Sequence, residues 1–169
     1  MQDKKQLDLI KSLFSNGQVQ EALDQLDPLI KDNPNDAVLL NISGACYAQI
    51  GEPIMAMKQY EKAVEIDPNY SEAYSNLGIT LQELDELEKA LENFEKAFSL
   101  KPEKVEIINI IISILNEVND PKISVDYYQK IIKNSPEQHL VHFNLGTVYQ
   151  DMGRTDDAIN SYKQVVCMN

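Results

Sequence analysis

The stretch from Ser71 to Lys104 reads SEAYSNLGITLQELDELEKALENFEKAFSLKPEK, and it holds two apolar-periodic segments, Ala73 to Leu84 and Leu87 to Leu100, joined by a short charged turn. Apolar residues recur at helical spacing in each, which predicts a pair of helices. Displacing the chain against itself by 34 residues brings Pro34, Pro68, Pro102 and Pro136 onto one another without a gap. A fixed period of this length marks a stacked array of repeats. The glycines keep the same frame. Gly44, Gly78 and Gly146 share the eighth slot of their units, and Gly17, Gly51 and Gly153 share the fifteenth, where the first helix is expected to stop, so all 6 glycines are assigned.

In the second helix a small residue recurs at Ala22, Ala56, Ala90 and Ala158, followed by a bulky one at Leu26, Tyr60, Phe94, Tyr128 and Tyr162. Small against large lets paired helices approach and interlock. On these residues the chain resembles a tetratricopeptide repeat protein over nearly its whole length. The matching positions in the second unit are Leu40, Gly44, Tyr47, Ala56, Tyr60, Ala63 and Pro68, and in the third Tyr74, Leu77, Gly78, Ala90, Phe94, Ala97 and Pro102. The resemblance implies an all-α fold, a right-handed α-solenoid of antiparallel helix pairs. A fold of this kind hosts many partners, so function has to be argued from the site.

The whole chain, 1–169, reads as one repeat domain, with units at 3–36, 37–70, 71–104, 105–138 and 139–169. In the first, Pro28 lies inside the second helix, where the lost backbone donor and the crowded carbonyl of Asp24 predict a kink or an early end. Pro53 and Pro121 instead occupy the first turn of their helices, where a missing N–H costs little. The fourth unit is degenerate: Ile112 stands in the eighth slot, and Ser124 and Ile131 replace alanines opposite. A large residue at a close crossing costs about 1–3 kcal/mol unless the pair opens, so a wider helix angle is expected there. The fifth unit restores Leu145, Gly146, Tyr149, Gly153, Ala158 and Tyr162 but carries no capping helix. Ile159, Tyr162, Val166 and Met168 are thereby left without a following repeat. Either the chain is the N-terminal part of something longer, or this face pairs with a second copy.

Composition narrows the function classes. A net charge of -12 disfavours nucleic acid and anionic membrane as partners, since both require a lysine and arginine footprint. The two cysteines, Cys46 and Cys167, form no framework, and no signal-like or membrane-spanning run is evident, which places the protein in the cytoplasm. No glycine remains for a phosphate loop, no nucleophile arrangement can be assembled, and no carboxylate sits in an apolar run that would raise its pKa. His139 and His142 are one turn apart but lack a fixed third ligand, so they make a weak metal candidate. The expectation is a protein that is not an enzyme and holds no cofactor.

The resemblance implies that the first helix of each pair lines a concave groove. From Ala37 to Ile50, Ser71 to Leu84, Val105 to Val118 and His139 to Met152 those helices contain no lysine or arginine, and they carry Glu72, Glu83, Glu106, Glu117 and Asp151. Co-chaperones of the family hold a C-terminal carboxylate with groove lysines and asparagines. Here the only basic groove candidates are Lys4 and Lys11 in the first unit, too few and too far toward one end, which argues against a carboxylate clamp. Asn41, Asn76, Asn109 and Asn144 recur once per unit at two adjacent slots. A column of primary amides can bracket an extended peptide backbone. It resembles the asparagine ladder in the repeat superhelices of protein O-glycosyltransferases, with Ile42 and Ile110 departing from that pattern. Neighbouring groove candidates are Ala45, Gln49, Ile79, Gln82, Glu83, Ser113, Asn116, Phe143, Thr147 and Gln150, with Phe143 the sharpest because an exposed aromatic can anchor an apolar side chain. The leading expectation is a module or scaffold that binds an extended neutral or basic peptide. The alternatives are the targeting region of a larger glycosyl- or sulfotransferase-like enzyme, and a scaffold that self-associates through the C-terminal helix.

Overall fold

The structure is a computed structural model that describes residues 2–167. Among them it forms ten helices: α1 (Gln2–Ser15), α2 (Val19–Asp32), α3 (Ala37–Gln49), α4 (Pro53–Ile66), α5 (Ser71–Glu83), α6 (Leu87–Leu100), α7 (Val105–Val118), α8 (Pro121–Asn134), α9 (His139–Asp151) and α10 (Thr155–Cys167). The chain divides into two compact units, Met1–Asn93 and Phe94–Asn169. Odd-numbered helices are the first of each pair and even-numbered ones the second.

One turn, repeated every 34 residues, stops each first helix. Positions 17, 51, 85, 119 and 153 all take a left-handed backbone, with φ of 78° at Gly17, 78° at Gly51, 62° at Asp85, 52° at Asn119 and 71° at Gly153. Around Gly17 its own N–H donates to the Phe14 carbonyl at 3.0 Å while the Gln18 N–H reaches back to Leu13 at 2.9 Å. The same two bonds recur at Gly51 and Glu52, at Asp85 and Glu86, and at Gly153 and Arg154. This Schellman geometry satisfies carbonyls that the helix end leaves unpaired. Asn119 closes α7 by the simpler bond from its N–H to Leu115, 3.0 Å. The sequence frame marks this slot only where glycine fills it; Asp85 and Asn119 occupy it because their short polar side chains tolerate the left-handed region best among non-glycine residues.

Aspartates start two of the helices. The Asp36 carboxylate accepts from the N–H groups of Val38 and Leu39, at 2.9 and 3.1 Å. Asp120 does the same for Lys122 and Ile123, at 2.8 and 3.3 Å. Pro53 and Pro121 sit at the first positions of α4 and α8. Pro28 does not end its helix: α2 continues through it to Asp32. Pro28 and Asp24 are both exposed, so water can satisfy the carbonyl that the proline leaves without a donor.

Within the first unit, α1 to α3 close over Ile10, Ala22, Leu23, Leu26, Leu39 and Cys46. Ala37, Leu40, Ala63 and Ala73 bury the junction of α3, α4 and α5. In each unit the tightest approach is a phenol ring laid on a glycine. A Cβ on Gly44 would stand 2.6 Å from Cε1 of Tyr60, and one on Gly146 would stand 2.5 Å from Cε1 of Tyr162. In the second unit, α7 to α9 bury Ile108, Ile111, Ile114, Tyr128, Ile131 and Val141. No helix among the described residues is long and apolar enough to cross a membrane.

The turn geometry makes a direct stability prediction. Asp85→Gly relieves a left-handed aspartate and should stabilise the protein by about 0.5–1 kcal/mol, after the extra entropy of glycine in the unfolded chain is offset. Asp85→Asn serves as the charge control. Urea melts followed by circular dichroism read the shift; a midpoint that fails to rise above that of the Asn variant contradicts the assignment of strain to this slot.

Candidate functional site

The asparagines of the first unit do something other than wait for a peptide. Asn76 on α5 donates through Nδ2 to Oδ1 of Asn41 on α3, 3.0 Å away. Asn41 in turn donates through Nδ2 to the hydroxyl of Tyr70 at 3.2 Å. Asn41 is buried, at 9% exposure. It forms a joint between neighbouring first helices. The reason is angular: adjacent slots on a helix point about 100° apart, so the slot of Asn41 turns toward the next repeat when that of Asn76 faces outward. The Tyr70 phenol is pushed up by burial and by Glu72, with the bond from Asn41 acting in the opposite sense.

Asn76 lines a cleft of about 360 Å³ with Phe14, Ala45, Ala48, Gln49, Tyr60, Ile79, Thr80 and Glu83. Five expected residues, Ala45, Gln49, Asn76, Ile79 and Glu83, meet there. Gln82 is half-buried and takes no part in the lining. Phe14, Ala48, Tyr60 and Thr80 were not anticipated. Tyr60 arrives from the second helix because its ring crosses Gly44, a consequence that the glycine in the eighth slot and the tyrosine in the bulky slot already encode. Burial pushes the Tyr60 phenol up, with smaller contributions from Cys46 and Glu83, and burial alone pushes the Cys46 thiol up to about 11. Both stay protonated near neutral pH. Ile79 is 44% exposed on the wall of the cleft.

The second unit offers a smaller and more polar cleft, about 150 Å³, between α7, α8 and α9. Asn116, Asn144 and Thr147 line it as expected, together with Asn119, Asp120, Ser124, Tyr128 and Asp151. Burial pushes the Tyr128 phenol up to about 12. Asn144 donates to the Leu140 carbonyl of its own helix at 2.8 Å. Asn109 and Ser113 are exposed on α7, outside that cleft. Phe143 is 53% exposed, and its ring packs against Tyr162 with centroids 5.8 Å apart. The Tyr162 hydroxyl donates to Oε1 of Gln150 at 3.1 Å and lies 3.4 Å from Oγ1 of Thr147. Phe143, Thr147 and Gln150 thus surround one phenol.

Tyr162 is half-buried and is engaged within its own repeat. Its ring lies on Gly146 of its own repeat and its hydroxyl emerges among first-helix residues. Ile159 and Val166 do remain open, at 45% and 75% exposure, and Met168 lies outside the described residues. His142 is buried, with Nε2 donating to the Pro136 carbonyl at 2.9 Å, which ties α9 to the turn before it. Two cations are engaged elsewhere: Lys130 of α8 bridges Glu95 and Asp126, and Arg154 pairs with Asp157 over the ring of Tyr149.

Two tetratricopeptide repeat models match the sequence, one over residues 7–71 and the other over 59–92 and 127–160. The chain belongs to the tetratricopeptide repeat family. Solved members of similar fold include MamA from Desulfovibrio magneticus RS-1, with a TM-score of 0.66 and 19% identity over 98% of this chain and 93% of that one. YrrB, described as having an unusual peptide-binding site, gives 0.67 and 16% over 97% and 84%. The first tetratricopeptide domain of Spaghetti (RPAP3), solved with the HSP90 peptide SRMEEVD, gives 0.64 and 24% over 67% and 90%. At these identities the likeness is one of fold. No curated protein sequence matches the chain.

The joint role of Asn41 separates it from the other asparagines. Asn41→Ala removes a buried bond and strips Tyr70 and Asn76 of a partner, a loss of about 1–3 kcal/mol. Asn144→Ala, at a half-exposed site bonded only to its own helix, should stay within about 0.5 kcal/mol of wild type. Thermal melts of the two variants side by side decide it; equal melts would remove the distinction.

Proposed function

We propose that this tetratricopeptide repeat protein is a peptide-binding module without chemistry of its own, and that its first-helix faces hold an extended neutral or basic segment of a partner protein. One observation carries the reading: in each unit a cleft opens whose lining bears amides and carboxylates and no lysine or arginine. Such a surface disfavours an acidic ligand through desolvation and like charge, and it offers a basic one complementary potential. Exposed Ile79 and Phe143 provide the apolar anchors that binding at a polar surface requires. Asn76 and Asn144, with Gln49, Gln150 and Thr147, supply amide and hydroxyl groups suited to backbone contact. Peptides selected from a random phage-displayed library against the immobilised protein should be enriched in lysine or arginine. Ile79→Ala or Phe143→Ala should weaken the best of them by roughly ten-fold or more, with the helical signal unchanged. A library that yields only acidic peptides, or binders indifferent to both substitutions, overturns the reading.

A second reading rests on α10. Ile159 and Val166 repeat, 34 residues on, the places of Val125 and Ile132, which are half-buried on α8 where α9 packs. The helix therefore presents the kind of seat that a first helix occupies, and a second copy of the chain is a candidate occupant. Light scattering over a range of protein concentrations tests it: the protein should associate, and Val166→Glu should leave monomers. A wild type that is monomeric throughout, or an oligomer that survives the substitution, rejects it.

A further inference from the structure

The two clefts differ in a way that assigns a ligand group to one of them. In the second unit amides, hydroxyls and two carboxylates share the walls with Leu115, Pro121 and Val148, and the Asp120 carboxylate already caps α8. In the first unit the cleft is lined by the methyls of Ala45 and Ala48, the side chain of Ile79 and the rings of Phe14 and Tyr60, and the only charged side chain in its lining is Glu83. Glu83 ends α5 and is exposed. Among the described residues no lysine or arginine forms an ion pair with it. Beside it stand two amides, Gln49 and Asn76, and the bond from Asn76 to Asn41 holds the second of these in place.

We infer that this cleft is a pocket for the side chain of a lysine or arginine, with the aliphatic stem against Ala45, Ala48 and Ile79 and the cationic head at the Glu83 carboxylate. The inference rests on the peptide-binding reading and names the side chain that one site takes. The chemistry is restrictive. A purely apolar side chain would desolvate Glu83 without replacing its water, and an acidic one would meet it with like charge. A small cation would leave the methyl and ring walls wet. Only a charged head on a long hydrocarbon stem satisfies both parts at once, which is how lysine and arginine cover apolar surface while keeping the charge near solvent. Tyr60 and Thr80 close the inner side: both are buried, and Thr80 is bonded through Oγ1 to the Asn76 carbonyl at 3.0 Å, so neither competes for the head group.

The test uses the full chain, labelled with 15N and in its isoleucine methyls, and three small probes: N-acetyl-lysine methylamide, its norleucine counterpart with the same stem and no charge, and the glutamate counterpart. The lysine probe should shift the side-chain amides of Gln49 and Asn76 and the methyl of Ile79, and saturate at about five-fold lower concentration than norleucine. The glutamate probe should leave these signals in place. Glu83→Gln, at an exposed helix end where the fold is not at stake, should bring lysine down to the norleucine level. Equal shifts by lysine and norleucine, shifts confined to other residues, or a lysine response unchanged in Glu83→Gln each overturn the pocket. If the probe fails while library peptides still depend on Ile79 or Phe143, peptide binding stands and the basic pocket falls. If the probe succeeds while the library yields no binder, the pocket stands without the extended-peptide reading.

Discussion

A phenol ring lying on the bare Cα of a glycine is the contact from which the rest of this structure follows. At Gly44 and Gly146 a single added methyl would overlap the ring of Tyr60 or Tyr162 by well under a normal contact distance, so the two helices of those pairs sit as close as a ring's thickness allows. Tight pairs of this kind expose one edge to the next pair, and α4 packs on α5 as well as on α3. The same contact shapes the surface. Because each ring passes over its glycine, a residue of the second helix delivers its hydroxyl end to the face built by first helices: Tyr60 lines the cleft beside Glu83, and Tyr162 bonds Gln150 beside Phe143. Packing and site are consequences of one fit.

The distribution of charge gives that surface its sign. The first helices α3, α5, α7 and α9 carry no lysine or arginine, and Lys130 and Arg154 are tied elsewhere by carboxylates and aromatic rings. Exposed pairs of this type contribute little to stability. The carboxylates of α5, α7 and α9 have no cation on their own helix, in a chain whose net charge is already -12. Electrostatics of this range does not specify a fold, but it selects partners and speeds their encounter.

Much of the fold was legible because its determinants are local or strictly periodic. The helix pair of 71–104, the start of α4 at Pro53 and of α8 at Pro121, and the stop after each first helix all follow from residues within one turn of the place they govern. The left-handed slot shows where legibility ended: it was readable at Gly17, Gly51 and Gly153, whereas Asp85 and Asn119 perform the same turn with residues that have other uses elsewhere. The early end that Pro28 allowed does not occur, since its local penalty is relieved by solvent at an exposed position.

The sequence by itself determined the repeat, its period, the positions where helices begin and stop, and the absence of cations from four first helices. Each of these depends on near neighbours along the chain or on a spacing that counting reveals. Only the tertiary structure decided which amides are buried and which border a cleft. Asn41 and Asn76 look alike in the sequence, yet one is buried between α3 and α5 under Tyr70, a residue 29 positions away, and the other borders the cleft. Whether a polar side chain is a joint or a contact depends on what a neighbouring repeat places against it. That is set by the rotation of each helix about its axis and by partners distant in the chain, neither of which periodicity encodes.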